Sequence, residues 1–150
     1  MGLDMYLNAK RFLSEYNAED ANIINVVKAE QIKGMGDMQP RYLVCEALYW
    51  RKANHIHRWF VNNVQDGADD CGHYYVSRDQ LTELRDLCLA VLADKKQAPE
   101  LLPTQQGFFF GGQDYDEWYF SDCQRTVDGI EKLLATEGLE HWDFEYHSSW

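Results

Sequence analysis

The densest chemistry in the chain lies in Tyr49-Trp50-Arg51-Lys52-Ala53-Asn54-His55-Ile56-His57-Arg58-Trp59, where three permanent cations and two histidines gather in an otherwise acidic sequence. Read as a helix, this segment sets Trp50, Asn54 and His57 on one flank at spacings of four and three residues, so they can line the edge of a pocket. Arg51, His55 and Arg58 form the adjoining stripe. An aromatic face beside a guanidinium and an imidazole suits a planar, anionic ligand such as a nucleotide, through stacking and charge-assisted hydrogen bonds. The competing reading makes Trp50 and Trp59 flanking core residues, with Arg51, His55 and Arg58 a solvated polar face. A histidine is readily tuned to titrate near neutrality, so His57 is the candidate general acid or base and Arg51 the group that would hold an anion.

A second segment, Leu101 to Gly112, carries Gln105 and Gln106 beside Gly107, with Asp114 and Tyr115 directly after it. Placed next to the helix bearing His57, its amides and aromatics would complete a polar pocket with aromatic walls. The expected ligand-binding set is Trp50, Arg51, Asn54, His57, Gln105 and Tyr115. The segment has neither of the glycine patterns of phosphate-binding loops. Gly-x-Ser-x-Gly is absent, and Ser148-Ser149 has no base that spacing reveals.

No metal is assigned. His55 and His57 on a helix point about 200° apart and cannot share one ion. Cys71-Gly72-His73 has no partner ligands at a recognised spacing, and no Cys-x-x-Cys occurs. Asp66, Asp69 and Asp70, with Asp114, Asp116 and Glu117, lack the glycine and terminal glutamate of a calcium loop. The widely spaced Cys45, Cys71, Cys88 and Cys123 are expected to be reduced structural thiols. No motif identifies a cofactor.

The elements that must position these residues follow from periodicity. Leu3, Met5 and Leu7 alternate with polar or small neighbours over residues 1–8, and Trp142, Phe144 and Tyr146 do so over the last ten, so both ends are expected to be strands of one sheet. Asp20 is expected to cap a helix reaching about Ile32, followed by a glycine- and proline-containing loop over residues 34–40. From Arg41 to Val64 the stripe Tyr42, Tyr49, Ala53, Ile56, Phe60, Val64 predicts one long helix. His73 to Val76 reads as a short strand. Ser77 with Gln80 forms a capping-box pattern ahead of a helix burying Leu81, Leu84, Cys88, Val91 and Leu92. A last helix is expected to start between Gln113 and Asp116, bury Tyr119, Phe120, Cys123, Val127, Ile130 and Leu134, and end at Gly138. Phe108-Phe109-Phe110 between glycines predicts a short buried strand or a wedged loop. The fold class is α+β, with three main helices packed on a small sheet that includes both terminal strands.

At 150 residues, 45% hydrophobic, the chain is sized for a single domain spanning 1–150 with its own core. Its net charge of −11 opposes generic nucleic-acid or anionic-lipid binding. Apolar runs are too short to span a bilayer, and neither an export signal nor a lipidation motif is evident, so a cytoplasmic location is expected. Composition sets no oligomeric state.

The opening MGLDMYL, the run YWRKANxIHxWFV over residues 49–61, the loop LPTQxGFFFG over 102–111 and the terminal SSW together resemble a family of small uncharacterised proteins of bacteriophages and prophages. The resemblance spans nearly the whole chain and implies a genetic setting without an activity. In that setting the expectation is an accessory protein of the host-cell cytoplasm that acts by binding, a candidate counter-defence factor. Its partner would be either a host or defence protein or a small anionic, nucleotide-like signal. The alternative is an enzyme on a nucleotide or phosphoester, with His57 as general acid or base.

Overall fold

The alternation at the amino terminus becomes β1 (Asp4–Phe12) in the computed structural model, which describes residues 2–150; Met1, included in the expected strand, lies outside the described residues. The chain continues through α1 (Ala18–Ala29), β2 (Tyr42–Arg51), α2 (Asn54–Asn63), β3 (Tyr74–Val76), α3 (Arg78–Ala93), the short α4 (Ala98–Leu101), α5 (Glu117–Leu134) and β4 (Asp143–Ser149). The four strands form one antiparallel sheet in the order β2-β1-β4-β3. The two terminal strands are its centre, paired from Asp4 opposite Ser149 to Lys10 opposite Asp143. The α+β class and the place of both ends in one sheet thus agree with the sequence reading.

Alternation sends Met5, Leu7 and Ala9 of β1, with Leu3 just ahead of it, and Phe144 and Tyr146 of β4 to one face, which forms the core with Ile56 and Phe60 of α2, Leu81, Leu84 and Cys88 of α3, and Cys123, Val127 and Ile130 of α5. Phe60 stacks flat on Tyr146 at 3.8 Å. The side chains of Tyr6, Tyr49 and His147 lie on the opposite face. α5 passes so close to β2 that a Cβ at Gly129 would run into the Leu48 side chain.

The long helix expected over residues 41–64 is instead a strand, a turn and a shorter helix. Tyr42 and Tyr49, two members of the expected apolar stripe, are exposed on β2, and Ala53, Ile56 and Phe60 are buried around α2. The break is made by Lys52, held at φ 58°, a left-handed conformation that side chains other than glycine seldom adopt. Without a glycine or proline there, the sequence carries no mark of the turn.

Smaller corrections have similar local causes. α1 is capped by Asn17, whose side-chain oxygen accepts from the N–H groups of Glu19 and Asp20, and it ends before Ile32. Asp20 instead accepts the Ser14 N–H and pairs with Arg11; the Ser14 bond is the main reason its carboxyl is held below the ordinary range. The capping box of α3 is complete, with Ser77 and Gln80 bonding each other's backbone N–H. α5 is capped by Asp116 and stops at Leu134, while the left-handed Gly138 begins the next turn. The three phenylalanines lie in a loop that wedges in Phe110 alone and leaves Phe108 fully out. All four cysteines are free, Cys88 and Cys123 inside the core but Cys45 exposed on β2, which overturns a core role for that thiol.

Candidate ligand-binding cleft

The turn that interrupts β2 and α2 also builds the floor of a cleft of about 420 Å³, lined by Arg51, Lys52, Asn54, His55, Thr104, Gly111, Gly112, Asp114, Asp116, Trp118, Tyr119, Asp122 and Arg125. Three elements meet there: the β2–α2 corner, the Thr104–Gly112 loop and one side of α5. Arg51 and Lys52 stand side by side, since a Cβ at Gly2 would meet Lys52 Cε at 3.3 Å and the Arg51 guanidinium at 3.7 Å. Gly111, at φ 86°, lets the loop cross directly over the Lys52 stem.

α2 enters the cleft uncapped. Ala53 at its N-cap offers no side-chain acceptor, and its first turn contains no acidic residue. The Asn54 N–H is taken by the Lys52 carbonyl at 2.9 Å, and the positive end of the helix dipole adds to the charge of Arg51 and Lys52. His55, one residue into the helix, is only 3% exposed, packs against the Tyr119 ring at 4.0 Å, and has no partner for Nε2. Burial pushes its imidazole down to about 3, so it is neutral at physiological pH.

The α5 side has the opposite character. Asp116 is occupied by the N–H groups of Trp118 and Tyr119. Asp122 lies 3.6 Å from Arg125, and burial pushes its carboxyl up to about 6. Trp118 beside them is 79% exposed, an indole face open to stacking. The cleft is thus polarised, cationic at the β2–α2 corner and carboxylate-bearing with an aromatic wall along α5.

Asn54 fastens the loop to the corner. Its Nδ2 donates to the Phe110 and Gly112 carbonyls at 3.0 and 2.8 Å, and its Oδ1 accepts the Gln105 N–H at 3.0 Å. Arg58 donates to the Thr104 carbonyl at 2.9 Å. Tyr115 is half-buried behind the loop, its hydroxyl accepting the Thr104 N–H at 3.4 Å.

Of the six residues expected to bind ligand, only Arg51 and Asn54 line the cleft. Trp50 points into the core and donates Nε1 to Thr126 Oγ1 at 2.8 Å. His57 is fully buried in a separate network: Nδ1 lies 2.7 Å from the Tyr146 hydroxyl, and Nε2 lies 3.1 Å from both Asp69 oxygens. Gln105 reaches the same carboxylate, donating Nε2 at 3.4 Å, and Trp150 donates its indole N–H to it at 3.1 Å. Asp69 therefore gathers α2, the loop and the carboxyl terminus, and His57 and Gln105 do converge, on a carboxylate away from the cleft. Burial holds the His57 imidazole below its ordinary value despite Asp69. Sequence reasoning missed Lys52, His55, Trp118, Asp122 and Arg125 as cleft residues. Their one shared signal, charge or aromaticity beside a helix start, is common to many solvated surfaces.

Among the described residues no three His, Cys, Asp or Glu side chains come together as metal ligands, and no helix is long and apolar enough to cross a membrane. No family model, curated protein or solved structure matches the chain.

Proposed function

We propose that the protein is a small accessory protein acting by binding, and that its ligand is a nucleotide-like molecule with an anionic group and a planar ring. The observation that carries this reading is the polarised cleft: Arg51, Lys52 and the uncapped start of α2 at one end, and Trp118 with Asp122 along the other side. Phosphate oxygens suit the first end, where charge-assisted bonds and the helix dipole act together. A nucleobase suits the second, stacking on the indole while its N–H donors meet a carboxylate. The phage-like motifs support sequestration of a host signal in the host cytoplasm.

Binding is favoured over catalysis by His57. Its ring is wholly enclosed and both nitrogens are engaged by Tyr146 and Asp69, so no face is free for a substrate proton. The test is calorimetric titration with a panel of nucleoside mono-, di- and cyclic phosphates, followed by recovery of the ligand. The proposal expects stoichiometric binding, intact recovered ligand, and a loss of about tenfold or more when Arg51 and Lys52 are both replaced by alanine. Unchanged affinity in that variant rejects the cleft. Sustained turnover abolished by His57→Gln rejects binding in favour of an enzyme.

A further inference from the structure

We infer that the open face of the sheet is a docking surface for an arginine-rich, cationic segment of a partner protein. The core covers only one face of the sheet. On the other, rings form a continuous row across it: Tyr49 of β2 lies 5.3 Å from Tyr6 of β1, Tyr6 stacks on His147 of β4 at 4.7 Å, and His147 stacks on His73, just ahead of β3, at 4.3 Å. The last two pairs are nearly coplanar, at 14° and 17°. Tyr75 of β3 adds a further exposed ring.

Carboxylates are set among these rings. Asp4, Glu46, Asp143 and Glu145 occupy outward positions of the same strands, as the register places Glu46 and Glu145 on either side of Asn8 and Asp143 opposite Lys10. The cations of this face are already engaged, Lys10 over the Tyr42 ring at 4.3 Å and Arg51 at 4.0 Å from Asp4. Asp4 is likewise engaged by the Tyr49 hydroxyl and Glu145 by His73 Nδ1 at 2.7 Å, so the exposed Glu46 and Asp143 are the carboxylates open to a partner, beside the rings, on a face with more acidic than basic side chains.

That combination selects its occupant. Nucleic acid would find rings to stack on but would bring phosphates to carboxylates in a chain of net charge −11. A second copy would bring the same charge and the same carboxylates. Because Tyr6 and His147 cover each other's faces, a guanidinium lies flat on the rings still open, Tyr49 and His73 at the two ends of the row and Tyr75 beside it, while its N–H fork meets a carboxylate in two-point fashion. Lysine supplies the charge without the plane, so preference for arginine over lysine is the signature of this surface.

The test is fluorescence anisotropy of the full chain with labelled nonamers of arginine and of lysine and with an oligothymidylate. The arginine peptide is expected to bind about tenfold more tightly than the lysine peptide. Tyr49→Ser with His73→Ser, which removes the two ends of the row from exposed positions, should abolish that preference. Tyr16→Ser, a fully exposed tyrosine outside the sheet, should leave it intact. Equal affinity for the two peptides overturns the inference, as does a preference that survives in the double variant. Tighter binding of the oligothymidylate makes the face a nucleic-acid surface, and self-association without peptide capture makes it a dimer interface; either result also overturns the inference. Lys52→Ala with Trp118→Ala, two cleft residues outside the strands, serves as the separate control for the cleft.

Discussion

Replacing His55 with glutamine should flatten the acid side of the protein's stability curve. His55 is 3% exposed, and burial lowers its imidazole from 6.5 to about 3. Between those values the unfolded chain holds a proton that the folded chain refuses. The stability associated with a neutral His55 is therefore full above about pH 6.5 and is lost as the pH falls, by about 1.4 kcal/mol per pH unit. At about pH 4.5 the loss reaches about 2.7 kcal/mol, a large share of the stability of an ordinary domain. Asp122 works in the opposite direction. Its carboxyl is raised from 3.8 to about 6, so protonation favours the folded state as the pH falls through that window. The wild-type curve contains both effects, but Asp122 is common to the two proteins and cancels in their difference. Urea unfolding from about pH 7 to about pH 4.5 should show the variant gaining on the wild type by the His55 slope at each step. Parallel curves would refute the claim that this imidazole is buried and neutral.

Other perturbations test the supports of the site. Asn54→Ala removes three hydrogen bonds between the corner and the loop and should cost about 1–3 kcal/mol. Amide exchange over residues 104–112 should accelerate, and unchanged protection would show the loop to be held by other contacts. Asp69→Asn puts an amide where His57, Gln105 and Trp150 all donate, so Trp150 should loosen, with a red-shifted tryptophan emission and a loss of about 1–3 kcal/mol in chemical denaturation; an unaltered spectrum would count against the network. Gly129→Ala sets about 1 kcal/mol of gained helix propensity against displacement of the Leu48 side chain and should change stability by less than about 1 kcal/mol in chemical denaturation, a larger loss meaning that Leu48 cannot swing aside.

What was legible in the sequence was what obeys a simple period or a local cap. The terminal strands alternate cleanly because one face of each is buried, and Ser77 with Gln80 announces α3 through bonds three residues apart. The β2–α2 corner was not legible. β2 is an edge strand with much of both faces exposed, so it lacks alternation, and its turn rests on a left-handed lysine. Reading one helix through that corner put Trp50, Asn54 and His57 on one flank, whereas the chain turns between the first and the other two. The sequence sets His55 on one stripe with Arg51 and Arg58, beside the pocket or in solvent, as a single helix over residues 41–64 requires. The first turn of α2 is buried all round, between the sheet on one side and the Thr104–Gly112 loop and α5 on the other. The cleft itself depends on three segments distant in the chain, and no local pattern foretells their meeting.

The proposal that this cleft holds an anionic, ring-bearing small molecule is tested most directly by mass spectrometry of the compounds released by heat from protein purified out of cells, compared with the Arg51→Ala, Lys52→Ala double variant prepared in parallel. The account predicts one phosphorylated aromatic compound enriched to near-stoichiometric amounts with the wild type and missing from the variant. The same trace compounds from both preparations, or a stoichiometric ligand retained by the variant, would contradict it.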